Sequence, residues 1–213
     1  MHKDCLAKVA KEVFLLFKQE GDLLMNQKSA IRTKFIVRIG MLGALSFIIM
    51  LLEFPIGFAE FLKLDFSDIV AMIGGITMGP LAAVAIQFIK NLLKVVIISK
   101  TAGIGELANL IVGIAYVLPA TIIYHKVKSN KGLIAGLIAG SITMVVIACL
   151  ANFFILLPLY WSFLSEETMT VASRWNFIQV ILLPFNLIKA IIITILTFTL
   201  HLSMKPLYKH FAK

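Results

Sequence analysis

The run 177–200, FIQVILLPFNLIKAIIITILTFTL, is apolar and long enough to cross a bilayer as a single helix, because the hydrocarbon core takes about 20 residues of α-helix. It nevertheless carries Pro184, Asn186 and Lys189 in its interior. An ammonium near the middle of such a helix costs at least about 2.5 kcal/mol on insertion scales, so it must face a cavity or a partner and not acyl chains. Asn186 precedes Lys189 by three residues and shares its helical face. The segment therefore demands a helical membrane bundle with a polar stripe turned inward.

The rest of the chain agrees. Of 213 residues, 60% are hydrophobic and 15% charged, with a mean hydropathy of +0.98, well above the apolar share of soluble domains. Six segments fit: 35–54, 67–78, 80–98, 104–124, 132–159 and 175–204. The second is short and ends at Gly79-Pro80, a strong turn signal. The expectation is an all-α integral membrane protein of six transmembrane helices, spanning 35–204. It is preceded by a cytoplasmic segment 1–34 and followed by a basic cytoplasmic tail 205–213.

The formal net charge of +9 is a topology signal and not a nucleic-acid footprint. Fourteen of the 20 Lys and Arg residues lie at the N-terminus up to Arg38, in the loop 126–131 and in the tail. Six crossings put these three on one side, and the excess of cations assigns that side, with both termini, to the cytoplasm. Segment 1–25 has no secretory signal. Leu6, Val9, Val13 and Phe17 recur at helical spacing among lysines, as in a helix lying on the membrane surface. The competing reading is a product that begins at Met25, with the preceding residues upstream of it. Cys5 and Cys149 form no metal or disulfide pattern. The chain has no phosphate-binding GxxxxGK[ST] loop, no HExxH or GxSxG motif, and no repeat of two halves of the kind alternating-access transporters carry.

Three sets of polar residues stand inside the later helices: Glu106 and Asn109 in GIGELANLIVG, Asn152 in ANFF, and Asn186 with Lys189. Amides donate and accept, lysine only donates, and an ionised glutamate only accepts. Among Phe, Leu, Ile and Met, such groups suit a neutral ligand bearing hydroxyls or amides around a flat apolar ring. The plainer readings are a helix cap for Glu106 and Asn109, interhelical packing for Asn152, and a structural ion pair of Lys189 with Glu106. Lys90 and Lys94 share a face of the third segment, and Lys90 has no obvious place. Asp65-Phe66-Ser67-Asp68 reads as an N-cap for the second segment, and the loop 55–66 before it as a lid. Gly40 and Ala44, and Gly132, Gly136 and Gly140, are spaced for close helix contact.

LKLDFSDIVAMIGGITMGPLAAVAIQFIKNLLK, GIGELANLIVGIAYVLPA and LPFNLIKA, in that order, resemble the riboflavin-specific substrate-binding (S) components of energy-coupling factor (ECF) transporters. The resemblance covers 36–200. It implies a six-helix bundle that captures riboflavin from outside, with no cofactor of its own. Uptake would be driven by two cytoplasmic ATPases joined through a transmembrane T component. Carried over by position, it places ligand contacts on Glu106, Asn109, Asn152, Asn186 and Lys189, and a cover over the flavin ring at Leu64, Asp65 and Phe66. It also places T-component contacts on Gly40 and Ala44, with Gly40 where the family usually has alanine. The alternatives are an S component for another vitamin, an integral membrane enzyme acting on lipids, and a structural membrane subunit. An enzyme would need paired carboxylates or histidine in the later helices, where Glu106 is the one well-placed acid. A structural subunit would leave Lys189 unexplained.

Overall fold

The computed structural model describes residues 32–55, 63–99, 102–164 and 169–211. The chain divides into Met1–Arg38, of which only 32–38 are described and are helical, and Ile39–Lys213, which holds the bundle. The amphipathic segment expected near the N-terminus lies outside the described residues.

Helix α1 spans Arg32–Met50. It stops earlier than expected, because a turn at Leu51 and Leu52 leads into β1 (Phe54–Pro55). Pro55 has no N–H to continue a helix. Strand β1 pairs antiparallel with β2 (Lys63–Leu64), Phe54 opposite Leu64 and Pro55 opposite Lys63. Glu53 binds both Lys63 and Lys94, which fastens this two-strand stem to the third helix. Of the loop 55–66, expected to act as a lid, residues 56–62 lie outside the described residues.

Helices α2 (Ser67–Met78), α3 (Pro80–Ile98) and α4 (Ile104–Val127) follow. Helix α2 is broken by Gly79, whose φ of 106° suits glycine, and Pro80 then starts α3. His125 of α4 donates from Nε2 to the Gly75 carbonyl at 2.8 Å, holding the end of α2. Helix α5 (Asn130–Ala151) passes through a π turn (Asn152–Leu156) into α6 (Leu157–Leu164). Helix α7 (Val171–Phe177) likewise passes through a π turn (Ile178–Leu182) into α8 (Leu183–Phe211). Both π turns precede a proline in the same tetrapeptide, Ile-Leu-Leu-Pro at 155–158 and 181–184. A proline ring clashes with the carbonyl four residues back, and widening the turn relieves that clash.

Among the described residues, five helical runs are long and apolar enough to cross a membrane: Arg32–Met50, Pro80–Ile98, Ile104–Val127, Asn130–Leu159 and Val171–Met204. The sixth expected crossing, α2, has 12 residues and rises only about 18 Å, against a hydrocarbon core of about 30 Å.

Packing is closest between α4 and α5. A Cβ at Gly136 or Gly140 would collide with the carbonyls of Ala120 and Tyr116, so these glycines serve internal contact, where small residues replace the missing hydrophobic drive. Tyr116, Thr194 and Ser141 join hydroxyls across α4, α5 and α8 at 3.2 and 3.0 Å. Gly40, by contrast, has open space beyond it and Ala44 is exposed.

Candidate ligand-binding site

Asp65 opens α2: its Oδ1 accepts the Ser67 N–H at 2.8 Å and the Ser67 hydroxyl as well. The expected cap is thus supplied by Asp65, one residue before the position flanking the helix. This sets Ser67 and Asp68 in the first turn, facing α3 and α8. Asp68 is fully buried. Its Oδ1 accepts from Lys90 Nζ at 2.6 Å and from Gln87 Nε2 at 2.8 Å. Lys90 Nζ also donates to Ser67 Oγ at 2.6 Å. Lys189 of α8 approaches the same carboxylate from the other side, 3.4 Å from Asp68 Oδ2 and 3.9 Å from Asp65 Oδ2. Two ammoniums and two carboxylates therefore balance in the interior, as buried charges must.

This replaces the plainer reading in which Lys189 pairs with Glu106. Glu106 is buried near the start of α4, where its Oε2 accepts from Ser99 Oγ at 3.0 Å. The carboxylates that face Lys189 are Asp68 and Asp65. The placeless Lys90 is accounted for by the same Asp68. Asp65 belongs to the ion cluster and Leu64 is buried in β2, while Phe66 packs on the main apolar core.

Asn109 is linked to this cluster through α3. Asn109 Nδ2 donates to Asn91 Oδ1 at 3.3 Å, and Asn91 Nδ2 donates to the Gln87 carbonyl at 2.8 Å. The Gln87 side chain reaches Asp68, and Asp68 reaches Lys189. Sequence reasoning missed Gln87, Asn91 and Asp68 in this role. The signal was present: 87, 90, 91 and 94 recur at helical spacing as one polar face of α3. Gly113 gives Gln87 its room, since a Cβ there would meet the Gln87 amide at 2.6 Å.

Asn152 and Asn186 each donate their amide to the carbonyl four residues back, Ala148 and Leu182, at 2.8 Å. The π turns next to them pack together through Leu157, Ile178 and Leu182, with Phe153 and Phe185 at the margin. Among the described residues, no hydrogen-bond donor meets the side-chain oxygens of Asn109, Asn152 or Asn186. Lys189 meets only the two carboxylates, at distances long for an ammonium hydrogen bond. The site thus offers three amide acceptors and one under-coordinated cationic donor. No group of three His, Cys, Asp or Glu side chains comes together among the described residues.

Outside the membrane helices, Glu53 is the titrating group of note. Partial burial alone would raise its carboxyl, but hydrogen bonds and charge from Lys63 and Lys94 outweigh burial and hold it below the ordinary carboxylate range.

The family model of the ECF transporter substrate-specific component matches residues 34–201. The riboflavin transporter FmnP of Bacillus subtilis (strain 168) is 35% identical over 178 residues, 82% of this chain and 94% of that protein. The riboflavin transporter RibU of Staphylococcus aureus (strain TCH60) is 35% identical over 175 residues, 80% of this chain and 89% of that protein. The solved S component of a bacterial ECF transporter superposes with a TM-score of 0.71 at 34% identity, covering 84% of this chain and 99% of that one. Such relatives are transport proteins and not enzymes, and they fit a chain that crosses the bacterial membrane several times. The chain belongs to the substrate-specific (S) components of ECF transporters.

Proposed function

We propose that this chain is the riboflavin-binding subunit of an ECF transporter, capturing the vitamin from the outer side for uptake powered by partner ATPases. The single observation that carries this reading is the set of unmet groups on α4, α5 and α8. Riboflavin brings what they lack. Its ribityl hydroxyls and ring N–H can donate to Asn109, Asn152 and Asn186, its ring carbonyls and hydroxyls can accept from Lys189, and its fused ring suits an apolar lining. Glu106 fits as a further acceptor, and Leu64, Asp65 and Phe66 as the cover, at the edge of the stem that Glu53 secures. The names of the relatives support the same ligand.

Both termini on the cytoplasmic side would follow from the basic loops. The chain has no ATP-binding loop of its own, so a T component and two ATPases would supply the drive. The face carrying Gly40 and Ala44 is where small residues meet open space, and it suits close approach by a membrane partner helix.

The test is titration of the detergent-purified protein with riboflavin, read by quenching of flavin fluorescence. Lys189→Ala and Asn186→Ala should each weaken binding by about 10- to 100-fold, as expected for hydrogen bonds to charged and buried polar groups. Unchanged affinity in both variants would overturn the assignment of the site.

A further inference from the structure

The π turn that carries Asn152 takes the usual helical donor away from the Phe153 carbonyl. Within the turn, the Leu157 N–H bonds the Asn152 carbonyl five residues back. The next carbonyl is that of Phe153. The N–H that would reach it at the same spacing belongs to residue 158, which is proline and has none. On return to ordinary helical spacing that carbonyl is passed over, and the Phe154 carbonyl loses its donor to the same proline. An orphaned carbonyl at membrane depth is costly, since no water is there to replace the lost bond.

Arg174 fills the gap. Thr170 caps α7, its Oγ1 accepting the Ser173 N–H at 3.2 Å, and so sets Arg174 in the first turns of that helix. Arg174 Nη1 donates to the Phe153 carbonyl at 3.2 Å. The guanidinium also lies over the Phe153 ring, 5.5 Å from its centroid, and Trp175 meets the same ring edge-on at 6.1 Å. The second π turn repeats the problem: Leu183 N–H bonds the Ile178 carbonyl, and Pro184 cannot serve Gln179. Among the described residues, no side chain reaches the Gln179 carbonyl. Only the bulge next to Asn152 is capped by a cation.

We infer that Arg174 is a positioning residue for ligand binding: by standing in for the N–H that Pro158 lacks, it fixes the register of the π turn and hence the direction of the Asn152 side chain. This rests on the riboflavin reading above. Without the cap, the bulge is free to migrate by one residue, which would turn Asn152 by about 100° around the helix axis. The fold can survive that slip, but the aim of the amide cannot.

The experiment is a set of riboflavin titrations on purified protein, with unfolding temperature as a check on folding. Arg174→Met keeps an unbranched apolar stem and removes the donor, and should weaken binding about tenfold or more. In an Asn152→Ala background the same change should cost less than about twofold further, because the aimed group is already gone. Arg174→Lys keeps a cationic donor and should stay within about threefold of wild type. Wild-type affinity in Arg174→Met, or a loss that multiplies with that of Asn152→Ala, would overturn the inference. Should Arg174→Met fail to fold, Arg174→Lys decides: near-wild-type binding upholds the cap, and a folded variant that has lost binding refutes it. Should wild-type protein fail to bind riboflavin, the ligand assignment falls, and hydrogen–deuterium exchange of 149–160 still judges Arg174. Faster exchange in Arg174→Met, reversed in Arg174→Lys, supports the cap, and unchanged exchange contradicts it.

Discussion

Asp68 holds two lysines, and removing its charge tests whether the cluster is one electrostatic unit. Lys90 Nζ lies 2.6 Å from Oδ1 and Lys189 Nζ 3.4 Å from Oδ2. At an effective dielectric of about 20 these separations correspond to attractions of roughly 6 and 5 kcal/mol, most of which offsets the cost of removing the ions from water. Asp68→Asn leaves Lys90 without its carboxylate and Lys189 with Asp65 alone at 3.9 Å, and should destabilise by about 3–5 kcal/mol, the usual cost of breaking a buried pair from one side. Lys189→Met should cost less, about 1–3 kcal/mol, because Asp68 keeps the hydrogen bonds of Lys90 and Gln87. The double variant restores charge balance, so its loss should fall short of the sum by about 1–3 kcal/mol. The assay is equilibrium unfolding in mixed detergent micelles, followed by circular dichroism. Losses that add to within about 0.5 kcal/mol would show that Asp68 and Lys189 are independent and would refute the shared-counterion account.

Gly140→Leu should drive α5 off the Tyr116 carbonyl of α4 and destabilise by about 1–3 kcal/mol or more, read as a lower unfolding temperature. Gly40→Leu faces open space and should leave that temperature and riboflavin affinity unchanged while reducing recovery of the T component in a pull-down. Gly113→Ala should displace Gln87 from Asp68 and weaken riboflavin binding about tenfold or more, the worth of one hydrogen bond to a charged group; wild-type affinity would detach Gln87 from the site. Glu53 has a lowered folded-state pKa, so its contribution is present above the unfolded carboxylate pKa and lost as pH falls through the folded value. Acidification below the ordinary carboxylate range should therefore speed hydrogen exchange in the stem at 53–55 and 63–64, and Glu53→Gln should remove that dependence.

Much of the fold was legible because lipid imposes a simple rule. Apolar length alone placed the bounds of α2 and α3, and proline and glycine marked the break at 79–80. What periodicity could not reveal was what happens after α1, where Pro55 turns the chain into a two-residue strand whose partner lies beyond a loop. The π turns were also hidden, although Ile-Leu-Leu-Pro occurs twice, because a proline in a helix predicts a disturbance without saying which kind. In the site, Lys189 advertised a buried charge by its cost, but cost does not name the partner. Glu106 seemed apt because both lay in later helices. The structure gives that role to Asp68, whose place in the first turn of a helix had a complete local explanation as a cap. Lys90 was the missing clue: a second deep cation on α3 required a carboxylate on a neighbouring helix, and α2 carries just one beyond its cap.

The claim at the centre of this account is that the polar groups of α4, α5 and α8 hold riboflavin. Its most direct test is the absorbance spectrum of protein purified in mild detergent from cells grown with riboflavin. The account predicts a yellow protein with a flavin spectrum and about one flavin per chain, lost in Lys189→Ala. A colourless preparation that also fails to quench added riboflavin would contradict it.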